Sequence, residues 1–187
     1  MRRVTYSMGV SLDGYVSGPD GTFDWSAPDD EMVQFVTDEI RQVGVHLMGR
    51  RLYEDMLYWE PAEPDPPPPP GLREWATLWK AIPKVVFSST LTAVEGNARL
   101  ASGSLAEEIG RLRDESASGD IAIGGATLAV QAATLGLIDE YRARIYPVLV
   151  GGGLSYYARE ERRENLELLE NRTFGSGIVY LRHRVMR

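Results

Sequence analysis

Two hydrophobic rhythms alternate along this chain. Short apolar, β-branched runs occur at Val4 to Val10, Val45-His-Leu-Met48, Lys84-Val-Val-Phe-Ser-Ser89, Asp120 to Gly124 and Asp139 to Val150. Between them, apolar residues recur at helical spacing, which predicts strands alternating with amphipathic helices. Met32, Phe35, Val36, Ile40 and Val43 share one face of a helix expected over 29–43, which Gly44 would end. A second helix is expected from Gly49 to about Leu57. A third is expected over 72–81, with Trp75 and Trp79 on one side. Ser104 and Glu107 form an S-x-x-E capping box ahead of Leu105, Ile109 and Leu112. A further helix is expected from Ala126 to about Leu135. Leu166 to Phe174 and Ile178 to Val185, joined by Gly175-Ser-Gly177, predict a closing hairpin. This order predicts an α/β fold: a three-layer sandwich with a mostly parallel central sheet and a C-terminal antiparallel hairpin.

Two segments interrupt the rhythm. Residues 12–21 are rich in turn formers and are expected to be a mobile loop. Residues 61–71 hold seven of the eleven prolines, five of them consecutive, which excludes helix and central strand. An extended polyproline-like surface loop is expected there. Neither segment marks a domain boundary, so one domain over 1–187 is the expectation.

Composition narrows the function. A net charge of -7 argues against free nucleic acid as a partner. The absence of cysteine removes disulfides, thiol chemistry and cysteine zinc sites. The two histidines, His46 and His183, give no support for a histidine metal site or a Ser-His-Asp triad. No run approaches the ~20 apolar residues of a membrane helix, and Met1 to Met8 lack the apolar stretch of a signal peptide. A cytoplasmic protein without metal or membrane contact is expected.

Three strand ends carry groups suited to phosphate. Gly49-Arg50-Arg51 opens a helix, and the arginine fork donates several charged hydrogen bonds. Ser88, Ser89 and Thr90 place three hydroxyls just beyond a strand. Ile123-Gly-Gly-Ala-Thr-Leu128 forms a strand-glycine-helix turn that can bring backbone N–H groups close to an anion. Each also has an ordinary reading: a tight turn, a polar loop, or close helix-sheet packing. Ligands of open α/β sheets collect at the C-terminal ends of strands, and the three together favour a dinucleotide.

The same segments carry a family resemblance. Met48-Gly-Arg-Arg-Leu-Tyr-Glu54, Val85-Val-Phe-Ser-Ser89 and Ile123-Gly-Gly-Ala-Thr-Leu128 occur in an order that resembles the dihydrofolate reductase-like superfamily. Within it, Ser11-Leu-Asp-Gly-Tyr-Val16 and Tyr146-Pro-Val-Leu-Val-Gly-Gly-Gly153 resemble the reductase domain of bacterial riboflavin synthesis. The resemblance implies NADPH. Gly49, Arg50, Arg51, Gly124, Gly125, Ala126, Thr127 and Leu128 would lie near the cofactor, with Ser88, Ser89 and Thr90 near its 2′-phosphate. It also implies a cis peptide between Gly124 and Gly125.

Trp25-Ser-Ala-Pro-Asp-Asp30 resembles the reductase W-x-x-P-x-D, which makes Asp30 the candidate catalytic carboxylate. A carboxylate in an apolar pocket can organise protonation of a C=N bond. The other reading makes Asp29 and Asp30 N-terminal helix residues that satisfy the helix dipole. Asp13, Trp25 and Tyr53 are candidate substrate contacts, although an Asp-Gly turn equally explains Asp13.

Two departures count against dihydrofolate. Ile82 stands where the folate enzyme has a carboxylate-binding arginine, and Arg144 replaces a threonine near the substrate ring. No deaminase-type His/Cys spacing occurs in the sequence, so the complete bifunctional riboflavin enzyme is not expected. The reading is an NADPH-dependent reductase of a small pterin- or pyrimidine-like heterocycle or imine, expected from the resemblance to be a homodimer. The alternatives are a non-catalytic nucleotide-binding module on the same fold and a true dihydrofolate reductase.

Overall fold

Strand Asp120–Gly124 (β6) is buried at all five positions, as a parallel strand covered by helices on both faces must be. In the computed structural model, which describes residues 1–61, 63–68, 70–157 and 163–187, this strand lies inside an eight-stranded sheet. Its other members are Val4–Ser11 (β1), Val43–Gly49 (β3), Lys84–Phe87 (β4), Ala98–Leu100 (β5), Glu140–Tyr146 (β7), Leu166–Thr173 (β9) and Val179–Val185 (β10). The order is β5-β4-β3-β6-β1-β7-β10-β9. The six strands from β5 to β7 run parallel, and the β9–β10 hairpin adds antiparallel to β7. The expected architecture is therefore observed.

Helices cover both faces. Asp30–Ile40 (α1), Arg50–Met56 (α2) and Arg73–Ala81 (α3) pack on one side. Leu105–Asp114 (α4) and Ala126–Thr134 (α5) pack on the other. Alternation along each strand sorts the residues between the two layers. Val4 and Tyr6 of β1, Val45 and Leu47 of β3, and Ile121 and Ile123 of β6 join the core beneath α4 and α5. Met48 of β3 and Val86 of β4 pack with Ile40, Tyr53 and Trp79 on the opposite side.

The expected capping box is formed. The Glu107 backbone N–H donates to Ser104 Oγ, and the Glu107 carboxylate accepts from the Ser104 backbone at 2.7 Å. Ser104→Ala is expected to cost about 1 kcal/mol. This should appear as a lower urea midpoint at unchanged slope.

Several boundaries differ from the pattern-based expectation. The first helix stops at Ile40, because Val43 already belongs to β3. The 139–150 strand stops at Tyr146, before Pro147. The loop expected to be mobile is instead organised: Tyr15–Ser17 (β2) pairs antiparallel with Leu154–Ser155 (β8). Asp13 tethers its start. The side chain accepts from the Val150 and Gly151 backbones at 3.2 and 2.7 Å and from the Ser11 hydroxyl at 2.6 Å. These bonds hold its pKa below the ordinary value, the Ser11 bond most of all. The strands are too short, and their partners too distant in sequence, to leave a periodic signal. Parts of the proline segment, residues 62 and 69, lie outside the described residues. The rest is bends and irregular backbone, ending in a 3₁₀ turn at Pro70–Leu72.

Candidate active site

The three phosphate-suited segments converge. β4, β3 and β6 are adjacent and parallel, with Gly49 level with Phe87 and Met48 level with Gly124. Gly49, Ser88 and Gly125 therefore leave the sheet side by side at the same edge. Arg50 and Arg51 begin α2 and are exposed. Arg50 makes only a loose pair with Glu54 at 3.6 Å, both half in solvent. Ser88 Oγ closes its own turn by accepting from the Thr90 and Leu91 backbones at 3.1 and 3.0 Å. The Ser89 and Thr90 side chains are exposed. Gly125 caps α5 with no side chain on its free N–H groups. Thr127 is exposed, whereas Ala126 and Leu128 turn into the core, so those two can offer a ligand only their backbone.

The glycine pair needs a correction. The Gly124–Gly125 peptide is trans; among the described residues only Asp65–Pro66 is cis. The constraint lies in side-chain space and in φ. A Cβ on Gly124 would meet His46 Cε1 at 2.4 Å and Leu52 Cδ2 at 2.5 Å. Gly125 has φ +83°, ψ 130°, a conformation that glycine adopts without steric cost. Close packing thus accounts for the first glycine, and backbone conformation for the second.

Asp30 also departs from expectation. It is exposed in the first turn of α1 and does not sit in an apolar pocket. Asp29 is the helix cap and accepts from the Met32 backbone at 2.8 Å. Both aspartates sit where the helix-dipole reading puts them, because α1 starts before its apolar face reaches the sheet. Tyr53 is buried among Met48, Trp79 and Val86, and its hydroxyl accepts from the Glu95 backbone at 2.7 Å. It is a core residue rather than a pocket residue. Trp25 packs edge-on against Tyr146 at 5.5 Å, with its indole Nε1 buried and unpartnered.

A cavity of about 280 Å³ opens beneath α1 and α3, on the same sheet face as His46. Asp13, Trp25, Asp30 and Tyr53 do not line it. Thr5 and Ser7 of β1 and Arg142 and Arg144 of β7 form its floor. Trp59, Trp75 and Trp79 form a wall: Trp59 meets Trp75 edge to face at 5.1 Å, and Trp75 stacks on Trp79 at 5.4 Å. Glu39 enters from α1. It accepts from Arg144 Nη1 at 2.8 Å, Ser7 Oγ at 3.2 Å and the Tyr180 hydroxyl at 3.4 Å. The Tyr180 hydroxyl is pushed well above its ordinary pKa by burial first, then by the Glu39 charge.

His46 joins the cavity to the glycine corner. Its ring rests on Gly124 and lies edge-on to Trp79 at 5.0 Å. Burial, reinforced by the nearby Lys84 charge, lowers its pKa to about 4, so it is neutral near pH 7. Its Nδ1 is sealed and has no partner.

Sequence reading named Arg144 but missed Glu39 and His46. Glu39 had one visible signal, a carboxylate between Val36 and Ile40 on an otherwise apolar helix face. His46 had none, because its role comes from strand register.

Three aligned strand ends beside a partly open cavity, on this sheet order, give the dihydrofolate reductase-like fold that the sequence resemblance implied. The chain belongs to the RibD C-terminal domain family, whose model matches residues 2–180. It is 31% identical over 183 residues to the uncharacterised protein YyaP of Bacillus subtilis (strain 168), covering 96% of this chain and 93% of that one. A crystal structure of a Shewanella sp. PV-4 protein assigned to riboflavin biosynthesis superposes with TM-score 0.78 at 23% identity, covering both chains completely. A Thermotoga maritima diaminohydroxyphosphoribosylaminopyrimidine deaminase/5-amino-6-(5-phosphoribosylamino)uracil reductase superposes with TM-score 0.68 at 14% identity. That match covers 99% of this chain and 57% of that one. Family membership supports an oxidoreductase of the pyrimidine-reductase type. Among the described residues, no helix is long and apolar enough to cross a membrane.

Proposed function

We propose that the protein is an NADPH-dependent reductase that transfers hydride to a small pyrimidine-like heterocycle or imine. The observation that carries this reading is the level alignment of Gly49, Ser88 and Gly125 on three adjacent strand ends. The pyrophosphate would lie against the free N–H groups at the start of α5, where the helix dipole favours negative charge. The exposed guanidinium groups of Arg50 and Arg51 and the hydroxyls of Ser89 and Thr90 are available to a 2′-phosphate. Bound NADPH supplies the hydride. The chain supplies orientation, and the Glu39–Arg144–Ser7 cluster supplies a polar floor next to the glycine corner.

Titration with NADPH and NADH tests this reading. NADPH is expected to bind at micromolar concentration and at least tenfold more tightly than NADH. Arg51→Ala should narrow that preference while leaving NADH affinity near its original value. No saturable binding of either nucleotide would remove the proposal.

A further inference from the structure

The cavity beneath α1 and α3 carries two arginines, yet it is poorly suited to a phosphate. Arg142 is almost fully buried, and its guanidinium is already bound to Asp120 at 2.8 Å and Glu140 at 2.9 Å. Arg144 Nη1 is bound to Glu39 and Ser7. His46 is neutral near pH 7. Lys84, its neighbour across the strand pair, does not line the cavity and donates to the Trp79 and Ile82 carbonyls at the end of α3. Among the described residues, every cation facing the space is therefore already compensated, and a phosphate would also meet the Glu39 carboxylate.

The opposite wall is aromatic. Trp59 and Trp75 are half-buried rather than sealed, which leaves indole surface facing the space. A volume of about 280 Å³ sits just below the ~300–1,000 Å³ of drug-sized ligand pockets. It holds one or two fused rings within its walls.

We propose that this cavity binds an unphosphorylated planar nitrogen heterocycle, with its apolar part against Trp59 and Trp75 and a ring N–H donated to Glu39. The proposal rests on the reductase reading and specifies its substrate class. The chain would thus differ from the Thermotoga maritima relative, whose uracil substrate carries a phosphoribosyl group. The discriminating features are compensation of the arginines and aromatic lining, both properties of this chain's own side chains.

The test is calorimetric titration of the full chain with quinazoline-2,4-dione, uridine and uridine 5′-monophosphate. All three present a uracil-type edge. Quinazoline-2,4-dione adds a fused apolar ring, and the uridine pair isolates the phosphate. Quinazoline-2,4-dione is expected to bind at least tenfold more tightly than the monophosphate, and uridine no more weakly than the monophosphate. Trp75→Leu should weaken quinazoline-2,4-dione about tenfold, since it removes the aromatic face while keeping an apolar side chain. Trp59→Leu serves the same purpose if that variant fails to fold. Glu39→Gln should weaken all three ligands.

Monophosphate binding equal to or tighter than that of quinazoline-2,4-dione would overturn the proposal. So would retained NADPH binding with no affinity for quinazoline-2,4-dione, a result that leaves the reductase reading standing. Binding of quinazoline-2,4-dione with no affinity for NADPH or NADH would support the cavity assignment and remove the reductase reading instead.

Discussion

Glu140→Ala is expected to destabilise the protein by about 3–5 kcal/mol, the cost of leaving a buried ion pair with one partner. Glu140 accepts from Arg3 at 2.9 Å, from Arg142 at 2.9 Å and from Arg182 at 2.8 Å. Arg3 and Arg182 reach solvent and can rehydrate. Arg142 cannot, because its side chain is only 3% exposed. Without Glu140, Asp120 would be its remaining ion-pair partner among the described residues, with Glu39 acting from farther away. Urea denaturation near pH 7 measures the loss, and a change below about 1 kcal/mol, the scale of an exposed pair, would contradict the buried-pair argument.

The same residue gives a pH dependence. Burial alone would raise the Glu140 pKa, but hydrogen bonds and charge from Arg182 and Arg142 outweigh it and hold the value at about 2. A carboxylate depressed in the folded state contributes stability that is complete above its ordinary value of 4.5. That contribution is lost as pH falls from there toward 2. Glu108, also held near 2 chiefly by the Arg99 hydrogen bond, acts over the same range. Thermal melts should therefore fall steeply on acidification, and Glu140→Ala should flatten that decline without abolishing it.

Gly124→Ala is the second large effect, and it separates packing from cofactor contact. The added methyl would stand 2.4 Å from His46 Cε1 and 2.5 Å from Leu52 Cδ2. Leu52 is a flexible end and can move. The imidazole is held against Trp79 and has little room to yield. A cost of about 1–3 kcal/mol is expected from overpacking. In a His46→Ala background the cost should fall by about half or more, because the principal clash is gone. If Gly124 served only to admit a phosphate, Gly124→Ala would instead retain the parent melting temperature and lose NADPH affinity. Melting curves of the two single variants and the double variant, beside NADPH titrations, distinguish these cases.

The three phosphate-suited segments were legible in sequence because their parts are local. Strand-glycine-arginine and strand-glycine-helix patterns announce themselves within a few residues, and so does the Ser104–Glu107 capping box. The cavity was not. Asp30 matched a motif, but a motif carries no information on where α1 meets the sheet, and Asp30 is exposed. Tyr53 was a candidate substrate contact, but it is buried and its hydroxyl accepts from the Glu95 backbone N–H. Glu39, Arg144 and Ser7 meet although each lies more than thirty residues from the others in sequence.

Sequence by itself determined the rhythm of strands and helices, hence the layered α/β class, and the three phosphate-suited segments. Each rests on backbone propensity or on side chains a few positions apart. Only the tertiary structure decided that Gly124 makes room for His46, that Asp30 is outside, and that the cavity's arginines are already compensated. These depend on strand order and register, which bring together side chains distant in sequence. The charge available to a ligand is what remains after those contacts form.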